Sequence, residues 1–200
     1  MDQIVKQAIA KWPNVPHCYG WLALDARGAW RMRDERAQQQ DTAGERIVHP
    51  ALLGFIRRNY LADERGRWFF QNGPQRVYVN LELTPYIVRS DPLHGLVTQT
   101  DAPMGRIDAA WLTDSARLIL RSGGRIAALD DRDLAPCIEQ LRIDAMAVSD
   151  TALLAWIDCQ PGTASQQLQL LHGDRLLPVQ RIAQAALAEY FGFVCMPQPD

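Results

Sequence analysis

Lysine is nearly absent from this chain. Lys6 and Lys11 are the only two in 200 residues, and arginine supplies the rest of the basic side chains. The arginines are scattered and acids outnumber bases, 23 to 21, leaving a formal net charge of −2. Such a chain exerts no bulk electrostatic pull on nucleic acid or on an acidic membrane. Cysteine is also scarce. Cys18, Cys137, Cys159 and Cys195 form no C-x-x-C pair, which excludes a zinc ribbon and a thioredoxin motif. No apolar run approaches the roughly 18 residues of a membrane span. The amphipathic start, "MDQIVKQAIAKW", carries acid and base together and lacks a signal peptide's apolar stretch and cleavage site. A soluble, cytoplasmic protein with reduced thiols is the expectation. The usual catalytic signatures are missing too: no glycine-rich phosphate loop follows a strand, and there is no G-x-S-x-G, H-E-x-x-H or acidic calcium loop. No cofactor and no metal are therefore implied.

Apolar residues make up 48% of the chain and charged residues 22%, ordinary values for a protein with a buried core. Asp2 is placed to cap a first helix with Ile4, Val5, Ala8, Ile9 and Trp12 on one face, stopped by Pro13 and Pro16. "GWLALDARGAWRMRDE" alternates around an Asp25–Gly28 turn, as a β-hairpin does. "RAQQQDTAGE" reads as a polar loop. "RIVHPALLGFIRRNYLAD" reads as a short strand and then a helix starting at Pro50, with Leu52, Leu53, Ile56 and Tyr60 as its buried stripe. "RGRWFFQNGPQRVYVNLEL" is a hairpin about Asn72–Gly73. In it Val77, Val79 and Leu81 alternate with Tyr78, Asn80 and Glu82.

Strand-like runs follow at "GLVTQT", "GRIDAAWL", "ARLILR" and "RIAAL". Asp133 then opens a helix with Leu134, Cys137, Ile138 and Leu141 inward, and Ser149 opens another carrying Leu153, Leu154 and Ile157. "QLQLLHGDRLLPV" is a hairpin about Gly173–Asp174. The spacing of Val179, Ile182, Ala183, Ala186, Leu187 and Tyr190 predicts a last helix from Pro178. A hairpin followed by an amphipathic helix thus recurs three times, at uneven spacing. It is either a duplicated motif or a common unit met three times by chance. The fold class read from this pattern is α+β, with antiparallel hairpin-rich sheets in two small domains, 1–90 and 91–200, and 146–200 as an added hairpin–helix unit.

The candidate functional residues stand apart from one another. His17 and Cys18 are adjacent, but side chains diverge in extended backbone and no cation neighbours the thiol, so a buried, structural Cys18 is the expectation. Arg76 could hold an anionic ligand with Tyr78 beside it, or pair with an acid across the hairpin. Thr98, Thr100 and Asp101 cluster where a strand meets a turn, with His94 just upstream. The same residues also suit an exposed strand and a turn start. His49 precedes the Pro50 helix as a cap or surface group, and His172 sits in a turn. Most of the six tryptophans lie at apolar positions and read as core or half-core.

The run "WPNVPHCYGWLALDARGAW" and the run from His49 to Val88 resemble an uncharacterised family of proteobacterial proteins known only as a domain of unknown function. A second such family is more distantly similar. Its pattern is a Trp-Pro…Cys-Gly opening, a hairpin, an Arg-Pro-x-Leu helix, an acid-Gly hairpin and an Asp-Ala-Pro-Phe strand. Here the opening is Trp12, Pro13 and Cys18, with Gly20 one residue late. His49–Pro50 replaces Arg-Pro, and Leu83 to Tyr86 replace Asp-Ala-Pro-Phe. The resemblance covers roughly residues 10–145. It implies a two-part α+β protein with a duplicated motif and a suggested signalling or ligand-sensing role, and it supplies no catalytic residue.

The expectation is a non-enzymatic ligand-sensing or protein-interaction module, with Arg76, Tyr78, Thr100 and Asp101 near a cleft between the two halves as its ligand site. An enzyme of unfamiliar type, its acid–base groups (His94 and Asp101 among them) assembled only in three dimensions, is the alternative. A structural subunit of a homo-oligomer is a third reading. The partner expected is a small molecule or a protein, not nucleic acid or a membrane.

Overall fold

Two aspartates, a threonine and a set of glycines fix the strand reversals. A computed structural model describes residues 1–158 and 167–199. In it the Asp25 carboxylate accepts the backbone N–H of Arg27 (3.0 Å) and of Ala29 (2.8 Å). Asp63 accepts those of Arg65 (3.0 Å) and Arg67 (2.9 Å) in the same way. Three residues on, Gly28 and Gly66 take φ of +77° and +73°, which a side chain would strain. Thr113 opens a third turn of this kind, its Oγ1 accepting Arg117 N–H at 2.9 Å, with Ala116 at φ +55°. Tighter reversals stand at Gly73, Gly123 and Gly173, with φ +58°, +58° and +63°. The first lies one residue later than the sequence suggests. Asn72 pairs with Gln75, so the turn is Gly73–Pro74 and only its glycine takes a positive φ.

Contacts divide the chain into two units: Met1–Pro85, Gln99–Ala102 and Ala188–Asp200, and then Tyr86–Thr98 with Pro103–Leu187. The first unit carries α1 (Gln3–Lys11), β1 (Cys18–Leu24), β2 (Trp30–Met32), α2 (Glu35–Gln39), β3 (Glu45–Arg46), α3 (Pro50–Arg58), β4 (Tyr60–Ala62), β5 (Trp68–Asn72) and β6 (Gln75–Leu81). Its sheet runs β3-β2-β1-β6-β5-β4, antiparallel throughout except for the parallel pair β1–β6. Leu22, Leu24, Trp30, Val79 and Leu81 are buried, and Phe55 of α3 meets Phe70 of β5 edge-on at 5.2 Å. Trp30, 1% exposed, stands edge-on to Tyr60 at 5.0 Å.

The second unit carries β7 (Tyr86–Asp91), β8 (Gly95–Thr98), β9 (Ala109–Thr113), β10 (Leu118–Ser122), β11 (Arg125–Leu129), α4 (Leu134–Ile138), β12 (Leu141–Ile143), β13 (Met146–Ala147), α5 (Asp150–Asp158), β14 (Leu168–His172) and β15 (Arg175–Ile182); α6 (Leu187–Phe191) follows. The sheet runs β13-β12-β14-β15-β9-β10-β11-β7-β8, with parallel joins at β11–β7 and β15–β9. Leu112, Leu118, Leu120, Leu141, Leu168, Leu170, Leu177 and Val179 share its core with Trp156 of α5. The fold is therefore α+β, as the alternating runs suggest. Among the described residues no helix is long and apolar enough to cross a membrane.

Strands β2-β1-β6-β5-β4 and β8-β7-β11-β10-β9 follow the same order, each with one parallel pair at the same place. Their turns also correspond in sequence, Asp63 with Thr113, Gly66 with Ala116 and Gly73 with Gly123.

Three segments depart from the sequence reading. The polar run from Glu35 to Gln39 is a helix, because Asp34 Oδ1 accepts Ala37 N–H at 2.8 Å and Gln38 Nε2 returns to Arg33 O at 3.0 Å. Only Ala37 is buried in it, too little apolar signal to show a period. The helix after Asp133 ends at Ile138, and Leu141 belongs to β12. The Asp133 carboxylate does not cap; it accepts Ser90 N–H at 2.6 Å. The helix expected from Pro178 is β15 instead, with Val179 opposite Ala110 and Ile182 opposite Thr113. Leu177 and Val179 are buried and Pro178 and Gln180 exposed, a period of two that the pairing with β9 selects over the helical spacing. Helix is confined to α6, after a 3-10 turn at Gln184–Ala186.

His49 caps α3: its Nδ1 accepts Leu52 N–H at 3.4 Å, and Pro50 occupies the first helical position. His49→Ala is expected to cost about 1 kcal/mol. Urea unfolding measures it, and His49→Asn, which restores an acceptor, should recover most of the loss.

Candidate functional site

Alternation along β6 divides its side chains between two faces. Val77, Val79 and Leu81 point one way; Arg76, Tyr78 and Asn80 point the other, with Glu82 continuing the series. The register extends the second face across the sheet. Phe69 is opposite Tyr78, Gln71 opposite Arg76, Ala23 opposite Asn80, and Arg31 opposite Ala23. One face of the first sheet is thus apolar and the other carries most of its charge.

Three arginines on this face are each matched to an aspartate. Arg31 Nε and Nη2 meet Asp25 Oδ2 at 2.8 and 2.7 Å. Arg67 Nε meets Asp63 Oδ2 at 2.8 Å. Both aspartates are the turn residues already described, so each turn also orients a guanidinium. Burial pushes the Asp63 carboxyl up, but hydrogen bonds from Arg67, from Tyr78 and from the turn amides bring it below its ordinary value. Arg33 is 7% exposed. Its Nε donates to Thr42 O at 3.0 Å, and its Nη2 to Asp41 Oδ1 at 2.9 Å and to Ala37 O at 3.5 Å. Arg33 therefore pins the segment 37–42 to the end of β2.

That segment forms one wall of an open groove of about 330 Å3 over β1, β2 and β6. Ala23, Leu24, Asn80 and Leu81 line its floor strands, Asp25, Arg31, Arg33 and Glu82 its charged sides, and Asp41, Thr42, Ala43 and Met196 its rim. Asp25 is committed to two turn amides and Arg31; one oxygen of Glu82 accepts Ala26 N–H at 2.9 Å. Asn80 Oδ1 is buried and accepts no hydrogen bond among the described residues. A buried acceptor left without a donor costs about 1–3 kcal/mol, so it marks the point where the groove lacks something.

Beside the groove lies an aromatic cluster. The Tyr19 and Tyr78 rings stack at 4.6 Å, Phe69 approaches Tyr78 at 5.7 Å, and the Arg67 guanidinium lies over Tyr78 at 5.0 Å. The Tyr78 hydroxyl donates to Asp63 Oδ2 at 3.1 Å.

The four expected ligand residues all belong to the first unit. Arg76 and Tyr78 share a face of β6, but Tyr78 is 1% exposed and Arg76 lies over Phe69, at 4.6 Å, in place of Tyr78. Thr100 and Asp101 lie in the segment Gln99–Ala102, where Arg57 forms an ion pair with Asp101. His94 Nδ1 meets Asp91 Oδ1 at 2.9 Å at an exposed hairpin tip. The acid–base pair considered from sequence is thus engaged separately, His94 by Asp91 and Asp101 by Arg57. Cys18 is a half-buried free thiol. Burial pushes the Cys137 thiol up to about 11 and raises that of Cys195, so neither favours the thiolate. Cys159 lies outside the described residues. No group of three or more His, Cys, Asp or Glu able to hold a metal ion occurs among the described residues. Asn80 and Glu82 were visible in sequence only as the polar half of an alternating strand. The partnerless Asn80 acceptor needs coordinates to be seen.

No curated protein matches this chain. Two solved structures of DUF1285 family proteins are similar to it. The one from Silicibacter pomeroyi DSS-3 is 13% identical, with 90% of this chain and 96% of that chain covered and a TM-score of 0.46. The one from Shewanella baltica OS155 is 17% identical, with 56% and 85% covered and a TM-score of 0.38. The family model described as "Protein of unknown function (DUF2946)" matches residues 1–198, and the chain belongs to that family.

Proposed function

We propose that this protein is a non-enzymatic ligand-sensing module that binds a small, donor-rich molecule in the groove over β1, β2 and β6. The observation that supports it is Asn80 Oδ1, buried on the groove lining with no donor of its own. Three carboxylates, Asp25, Asp41 and Glu82, face two guanidiniums, Arg31 and Arg33, so the lining is acidic by one charge. An amine or a hydroxyl-bearing ligand suits that balance, its donor reaching Asn80 and its positive end the spare oxygen of Glu82. The Asp25 carboxylate is held by turn amides and an arginine, an arrangement that orients a ligand. On this reading the second unit is a copy of the same five-strand motif, and β12–β15 are an addition to it.

Thermal shift with free amino acids, ethanolamine, putrescine and simple polyols tests the proposal. One class should raise the melting temperature by several degrees at millimolar concentration, because binding to the native state stabilises it. Asn80→Leu and Glu82→Gln should each weaken that response tenfold or more. Glu82 is exposed, so its variant keeps the test valid if Asn80→Leu folds poorly. No response to any class, or an undiminished response in Glu82→Gln, overturns the assignment.

A further inference from the structure

Three arginines on the charged face have an aspartate: Arg31 with Asp25, Arg33 with Asp41, Arg67 with Asp63. Arg46, opposite Arg31 on the edge strand, is exposed to solvent, whereas Arg76 is half-buried without one. Across β5 it faces Gln71, whose amide is committed to Gly73 O at 2.9 Å, and no carboxylate pairs with it among the described residues. On its other side the parallel register sets Cys18 against Val77, so His17 comes beside Arg76 and Tyr19 beside Tyr78. The stacked Tyr19 and Tyr78 rings agree with that register. Two side chains that carry or accept positive charge are therefore neighbours across a strand pair, an arrangement that ordinarily destabilises a sheet.

Arg76 is packed against the sheet, and His17, though exposed, keeps a ring contact with it. Arg76 is half-buried, its guanidinium 4.6 Å above the ring of buried Phe69. The His17 ring stands edge-on to Tyr78 at 5.8 Å. Pro13 and Pro16 stiffen the approach to β1, and Gln75 Nε2 donates to Pro16 O at 2.9 Å, tying that approach to β6. A stacked guanidinium keeps its in-plane N–H groups free for an acceptor. Partial burial together with the fields of Arg76 and Arg67 lowers the basicity of His17, which shows how positive this corner is.

We propose that Arg76 and His17 form an oxyanion site, separate from the groove, that receives a phosphate or carboxylate group on the aromatic floor of Phe69 and Tyr78. The anion takes the place that an aspartate fills for Arg31, Arg33 and Arg67. Arg76 supplies a two-pronged contact and His17 a second donor.

Titration of the isotope-labelled protein, observed at the His17 ring and the Arg76 Nε, tests it. Sodium phosphate and sodium acetate form separate arms at constant ionic strength, which distinguishes a phosphate source from a carboxylate source. At least one arm should shift both signals saturably in the low millimolar range or tighter. Arg76→Gln should weaken that binding tenfold or more and leave the melting temperature within about two degrees. Arg46→Gln, at an exposed position on β3, should not change it. Non-saturating shifts in both arms, or equal binding by Arg76→Gln, overturns the site. Neither result bears on the groove, whose probes are amines and polyols and whose variants are at Asn80 and Glu82.

Discussion

Gly66→Ala is expected to destabilise the first unit by about 3 kcal/mol or more, through a clash and not through the turn itself. An added Cβ at Gly66 falls well inside contact with Gly192 O and lies 3.1 Å from Gly192 C and from Phe193 Cα. All three are backbone atoms, so no side chain can turn away. Relief requires the segment after α6 to move. That segment donates Val194 N–H to Gly66 O at 3.0 Å, and its Cys195 O accepts Leu81 N–H at 2.7 Å. The turn conformation alone is not the obstacle. Ala116 occupies the matching position of the Thr113 turn at φ +55°, at a cost of about 1–2 kcal/mol. Ala116→Gly should therefore change stability by no more than about 1 kcal/mol, its relieved strain offset by the freedom glycine gains when unfolded. Urea unfolding of the two variants measures the contrast. Equal effects would show that the Gly192 contact carries no weight.

Arg33→Ala is expected to cost about 2–3 kcal/mol and to loosen the groove wall. Removing the guanidinium takes the donor from Thr42 O and Ala37 O and leaves the space of a buried side chain empty. The Asp41 partner adds little, because its side chain is 86% exposed and water replaces the pair. Gly44 bears on the same wall. Its φ is +77°, and a Cβ there would clash with Met32 O, so the strap can leave β2 only as it does. Amide hydrogen exchange should show residues 37–43 of Arg33→Ala losing protection before the rest of the unit. Arg33→Lys, which can reach one carbonyl but not three acceptors, should fall between the variant and the parent.

The two effects explain what the amino-acid pattern shows and what it hides. Turns and strands were legible because their signals are local: Asp25 to Gly28 and Gly173–Asp174 each announce a reversal within four residues. The Pro50 helix was legible for the same reason, since His49, Pro50, Leu52, Leu53 and Ile56 lie in one short window; Tyr60, expected in the same stripe, belongs to β4. The run from Val179 to Tyr190 misled because its apolar spacing fits a helix, whereas β9, some seventy residues earlier, supplies the edge that makes Arg175–Ile182 a strand. Parallel pairings such as β1 with β6 leave no local trace. The charged face was half visible. Arg76, Tyr78, Asn80 and Glu82 stand at every second position, yet nothing in the sequence says that Tyr78 is covered by Tyr19 or that half-buried Arg76 lacks an aspartate. Those are statements about neighbours across strands, and only the register provides them.

The most direct test of ligand binding in the groove is the side-chain amide signal of Asn80 in a labelled sample, followed while ethanolamine, an amino acid or a polyol is titrated in. Binding predicts one saturable shift of that signal for a single ligand class, accompanied by the backbone amides of Arg31 and Thr42 and unaltered in midpoint by Arg76→Gln. An Asn80 signal that stays fixed across all classes, or moves only in step with residues throughout the chain, would contradict it.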